Sequence, residues 1–158
     1  MSGLFGAVLA TPALAGIVDT PLPELVTGKK TIHVYSVSGV GAWGGYLGAY
    51  FSCTSTDTAT MQVGVEVFGD PGGGPANDAV ATSLSVDPGA TARFGTTSAV
   101  GITIHSDLGV GIVAGGSARI LATSKKLVCT AFLADRTNAP PASMVYLTII
   151  KKTTQKGE

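Results

Sequence analysis

Two sulfurs are the first candidates for chemistry: Cys53 in GYLGAYFSCTS and Cys129 in KKLVCTAFLAD. A cysteine can be a nucleophile, a metal ligand or half of a crosslink, and its surroundings distinguish the three. A nucleophile needs a nearby base and an accessible, electropositive setting. The two histidines, His33 and His105, lie in alternating stretches that match no protease signature. A cupredoxin-type copper site combines Cys, two His and Met, with a His and the Met close behind the Cys. Here Met144 follows Cys129, but no His does. Both cysteines keep step with apolar neighbours: Cys129 with Leu127, Ala131 and Leu133, and Cys53 with Phe51. Two inward-facing cysteines on well-separated strands predict a Cys53–Cys129 disulfide that joins two sheets. In the chain-entropy model, closing such a loop stabilises the fold by about 4 kcal/mol.

Other residues carry weaker chemical signals. In GDPGGGPAND, Asp70, Asn77 and Asp78 offer oxygens to calcium, yet their spacing fits no EF-hand. The same stretch lacks the Lys-Ser/Thr pair of a phosphate loop, so it is expected to be an interstrand loop. Ser117 in GGSAR has Arg119 where a nucleophile elbow needs glycine. The histidines could meet across a sheet, but two imidazoles alone make a poor metal site. No paired carboxylates suggest glycoside hydrolysis. GAWGGYLGAYF gathers Trp43, Tyr46 and Tyr50 among small residues. Aromatic faces exposed on a sandwich can stack sugars or anchor a partner, so these three are the candidate binding residues.

The elements that must position these groups follow a period of two. In TMQVGVEVFG, Met61, Val63, Val65 and Val67 point one way, and Gln62, Gly64 and Glu66 the other. That alternation predicts a half-buried strand with one wet face. ATSLSVDPGATARFG predicts a hairpin turning at Asp87-Pro88-Gly89, and GSARILATSKKLVCTAFLAD predicts another turning near Ser124 to Lys126. SMVYLTIIKK alternates Val145, Leu147 and Ile149 against Tyr146 and Thr148. With 22 glycines and only 13% charged residues, the composition suits short strands and tight turns.

Residues 1–15 read as a signal-peptide-like segment. Leu4 to Leu14 form the apolar stretch, and Ala13 and Ala15 form an A-x-A cleavage pattern before Gly16. No Lys or Arg precedes the stretch, and it is too short to span a bilayer. Residues 16–30, with Pro21 and Pro23, read as a linker or edge strand. Residues 31–152 form the expected β-sandwich, and 153–158 a polar tail. Charge is uneven along the chain: three basic and eight acidic residues in 1–118, seven basic and two acidic in 119–158. The basic residues are scattered without interleaved aromatics, so no nucleic-acid partner is expected.

The order Cys53, TMQVGVEVFG, SVDPGATARF, Cys129 over residues 31–152 resembles immunoglobulin-like domains of secreted bacterial proteins. The resemblance implies an all-β, Greek-key sandwich of about 7–9 antiparallel strands, serving as a spacer, adhesion or interaction module. The expectation is therefore a secreted, extracellular or periplasmic protein, non-enzymatic, with no cofactor or metal. It acts as a structural, adhesion or protein-interaction module at the cell surface. The alternative is a glycan-binding module using Trp43, Tyr46 and Tyr50, and the third reading is a copper-type sandwich.

Overall fold

The computed structural model describes residues 17, 20–69 and 73–152; the signal-like segment and the polar tail lie outside them. Ten strands are present among these residues, against the seven to nine expected. They are β1 (Ile32–Ala42), β2 (Leu47–Ser55), β3 (Met61–Phe68), β4 (Leu84–Val86), β5 (Thr91–Gly95), β6 (Ser106–Asp107), β7 (Val113–Ala122), β8 (Leu127–Asp135), β9 (Met144–Tyr146) and β10 (Thr148–Lys151). They form two five-stranded sheets, ordered β10-β1-β7-β3-β4 and β6-β5-β2-β8-β9. Every pairing is antiparallel except β5 with β6.

The period of two builds the core. Val63, Val65 and Val67 of β3 meet Phe51 of β2, Phe94 of β5, Ile120 of β7 and Leu127 of β8 in one buried cluster between the sheets. Burying such side chains contributes roughly 1.5–3 kcal/mol each. One polar tie crosses this layer: the Tyr35 hydroxyl on β1 donates to the Leu127 carbonyl at 2.5 Å.

Three expectations are corrected, two of them by how the chain changes sheets. The Asp87-Pro88-Gly89 turn exists, with Gly89 at φ 75° and the Ala90 N–H donating to Asp87. Yet β4 and β5 lie in opposite sheets, so the turn is an arch over the sandwich edge and not a hairpin. β7 and β8 are likewise split between sheets. In both cases the two apolar faces are each buried by facing one another across the core, which alternation alone does not distinguish from lateral pairing. The third correction concerns β3, whose second face is not wet. Gly64, Glu66 and Phe68 are buried, and only Gln62 on that face is half-buried.

The cover on that second face is the chain before β1. Leu25 packs with Ala79 and Leu121 in a separate small cluster. A Cβ on Gly64 would lie 3.0 Å from Leu25 Cδ2, so glycine is what lets this segment sit down on the sheet. Arg119 of β7, opposite Glu66 in the register, pairs with that carboxylate and is 1% exposed. Its guanidinium also donates to the carbonyls of Ile17, Thr20 and Pro21. The prolines leave that segment without ladder donors, and its carbonyls find their donor in one buried arginine. Across residues 20–30 the only pairing of β type is the isolated Val26–Lys29 bridge.

The disulfide is also placed differently from expectation. Cys53 and Cys129 are bonded, but β2 and β8 are neighbours in one sheet and the cysteines are direct register partners. Their Cα atoms are 4.1 Å apart, the close spacing of a non-hydrogen-bonded antiparallel pair. Both sulfurs do face the interior, as their phase required; the bond staples two adjacent strands and does not join the two sheets.

Candidate functional site

The three sequence candidates divide between two places. Trp43 and Tyr46 stand on the turn between β1 and β2, where Gly44 and Gly45 supply positive φ and the Tyr46 N–H donates to the Trp43 carbonyl at 2.9 Å. They are 56% and 73% exposed. Tyr50 is 1% exposed, on the outer face of β2. Its ring reaches back over Gly48, where a Cβ would meet the hydroxyl at 2.6 Å. That hydroxyl has no hydrogen-bond partner among the described residues. Burial is the main cause that raises its pKa; nearby Arg136 opposes the rise, and Asp107 and Asp135 add to it. The Tyr50 hydroxyl therefore stays protonated.

Tyr50 belongs to a different aromatic row. It stacks on Phe132 of β8 with centroids 5.5 Å apart, and Phe132 meets Tyr146 of β9 edge-on at 6.3 Å. The register accounts for the row, because Tyr50 pairs with Phe132 and Phe132 with Tyr146. Neither Phe132 nor Tyr146 stood out in the sequence. Phe132 lies on the outward phase of β8, a signal that becomes useful only once β2, β8 and β9 are known to be neighbours.

Beside this row lies a cavity of about 410 Å³ on the outer face of the sheet. Phe132 and Tyr146 form its aromatic side, and Ile102 and Ile104, in the segment leading to β6, form the opposite wall. Gly95 holds that wall close: a Cβ there would meet Ile104 Cγ2 at 3.0 Å and Tyr50 Cδ1 at 3.1 Å. Ser52, Arg93, Thr103 and Thr130 supply the polar lining. The cavity is lined by apolar and polar groups in nearly equal measure, which gives a ligand both contact area and fixed hydrogen-bonding partners.

The remaining candidates do not converge. His33 lies on β1 in one sheet, and His105 precedes β6 in the other. His33 Nε2 lies 3.0 Å from the Tyr35 carbonyl and 3.1 Å from Ser36 Oγ. Burial first, then the charge of Lys152, lowers its pKa, so it is neutral at pH 7. His105 Nδ1 accepts the Arg93 N–H at 3.3 Å. Cys129 is held in the disulfide and offers no thiolate, which removes the copper reading's central ligand. In the glycine-rich loop, Asn77 accepts from the Val67 N–H and donates to the Val65 carbonyl, both at 2.8 Å. Asp78 accepts from Val80 and Ala81 N–H. These two calcium candidates are engaged in tying the loop to β3 and closing a turn, and Asp70 lies outside the described residues. Ser117 sits within β7, paired with Ser38 and Phe68.

Comparison with protein-family models, with curated proteins and with solved structures finds no match for this chain. Among the described residues, no helix is long and apolar enough to cross a membrane.

Proposed function

We propose that this chain is a secreted, non-catalytic module that acts by surface recognition, in a structural, adhesive or protein-binding role. The observation that carries the reading is the bent segment β9–β10. It presents Met144, Val145, Tyr146 and Ile150 to solvent at the seam where the two sheets end. Leu147, between the two strands, turns inward; its N–H donates to Ala131 and its side chain packs on the core. The segment is therefore anchored while its apolar side chains stay outside. Apolar groups clustered on a rigid edge mark interaction surfaces in soluble proteins. Secretion is supported by the disulfide, since such bonds persist in oxidising compartments. The immunoglobulin-like Greek key belongs to the same proposal, supported by two facing five-stranded layers. In that family the disulfide joins the sheets, whereas here it lies within one.

A second reading, glycan binding, is favoured by one specific observation: the Tyr50–Phe132–Tyr146 row bordering an open cavity. The primary reading is tested by binding to a panel of immobilised extracellular proteins, with the protein itself included. The double variant Val145→Glu/Ile150→Glu should lose binding by ten-fold or more with its melting temperature unchanged. Equal binding by variant and wild type would remove the β9–β10 edge as the contact surface.

A further inference from the structure

We infer that the cavity on the outer face of the β6-β5-β2-β8-β9 sheet binds a sugar residue bearing a carboxylate; this rests on the glycan-binding reading above. The sheet register lays two rows of side chains across the strands. One row runs Gly95, Tyr50, Phe132, Tyr146, and the next runs Arg93, Ser52, Thr130. The rows are two residues apart along each strand, a rise of about 7 Å. Both rows line the one cavity, with Phe132 and Tyr146 towards its β9 end and Arg93 at its β5 end. An oligosaccharide lying across the strands can therefore meet the aromatic rings, the hydroxyls and the guanidinium along its length.

Each row supplies what one part of an acidic sugar requires. The C–H face of a pyranose is apolar and packs on an aromatic ring, and Tyr146, 73% exposed, offers a ring face. Ser52, Thr103 and Thr130 can each donate and accept, which matches the mixed demands of sugar hydroxyls. Ile102 and Ile104 close the far side and exclude water from part of the ring. Arg93 sets the charge. Its side chain is exposed, its backbone N–H is engaged by His105, and it forms no ion pair among the described residues. A guanidinium in that condition, at the end of a hydroxyl row, suits bidentate pairing with a carboxylate. A neutral sugar would satisfy the aromatic and hydroxyl rows but leave Arg93 unanswered.

The test is an NMR titration of the uniformly ¹⁵N-labelled protein with oligogalacturonate and, separately, with the neutral galactose oligomer of the same length. Oligogalacturonate should shift amides of Arg93, Thr103, Thr130 and Tyr146, and bind at least ten-fold tighter than the neutral oligomer. Tyr146→Ala should weaken both oligomers, while Arg93→Gln should abolish only the preference for the acid. Both side chains are exposed, so each variant is expected to fold. Equal affinity for the two oligomers, unchanged in Arg93→Gln, would overturn the acidic specificity and leave the glycan reading standing. Shifts confined to the Trp43–Tyr46 turn would overturn the site but not that reading. No shift with either oligomer at millimolar concentration would overturn both.

Discussion

Arg119 ties three parts of this molecule together through one buried side chain. It answers Glu66 across the β3–β7 pair, lies 5.3 Å from the Phe68 ring centroid, and collects carbonyls from the segment before β1. Removing one partner of a buried ion pair leaves an uncompensated charge and costs about 3–5 kcal/mol. Arg119→Leu should lose stability in that range by urea unfolding, and residues 20–30 should become cleavable in limited proteolysis. Adding Glu66→Leu should restore much of the stability, since no buried charge remains, but not the protection of the segment. If the double variant regained both, the carbonyl contacts would not be what holds it. Two carboxylates are acid-sensitive. Hydrogen bonds from the Asn138 and Thr137 side chains and the Thr137 N–H hold Asp135 well below the usual carboxylate range. Asp57 is the second. The Ser124 hydroxyl donates to it at 2.5 Å, the Thr58 N–H also donates, and Lys126 lies 3.2 Å away. Together these hold its pKa down to about 2 from 3.8. A folded pKa below the unfolded one gives stability that is present above about pH 4 and lost as pH falls towards 2. Thermal unfolding between pH 5 and 2 should therefore fall less steeply in Asp57→Asn than in wild type; identical slopes would dismiss the linkage.

At the scale of elements, the inward phases of the strands were legible in the sequence, because burial on one face of a pleat imposes a period of two that needs no knowledge of the partner. Cys53, Cys129, Phe51 and the β3 valines all face where that period puts them. Partnership was not legible. Whether LSV and TARFG pair side by side or arch across the core depends on which distant strands flank each of them, and both solutions bury the same residues. The same gap hid Phe132 and Tyr146, whose contact with Tyr50 exists only because β2, β8 and β9 are adjacent. The outer face of β3 was misread for a related reason: its cover comes from a segment whose prolines indicated only an extended path. The β2–β8 adjacency has a direct consequence for stability. The disulfide closes a separation of 76 residues, and replacing both cysteines by alanine should lower the unfolding free energy by about 4 kcal/mol. Two titratable thiols in the unfolded, unreduced protein would show that the strands are not stapled.

For the whole molecule, two sheets locked by buried contacts leave Met144, Val145, Tyr146 and Ile150 exposed together where the sheets end. There the chain crosses from the second sheet back to the first, and Tyr146 belongs both to the exposed β9–β10 edge and to the aromatic row beside the cavity. Protein-binding and glycan-binding readings thus share a residue, which makes it the most economical place to test recognition itself. The most direct measurement compares wild type with Tyr146→Arg, matched for melting temperature, on one array carrying acidic glycans, neutral glycans, extracellular proteins and the protein itself. Wild type is expected to bind at least one of these surfaces, and Tyr146→Arg to lose that binding by ten-fold or more. Binding of wild type to none of them, or equal retention of both proteins wherever wild type binds, would contradict recognition through this face.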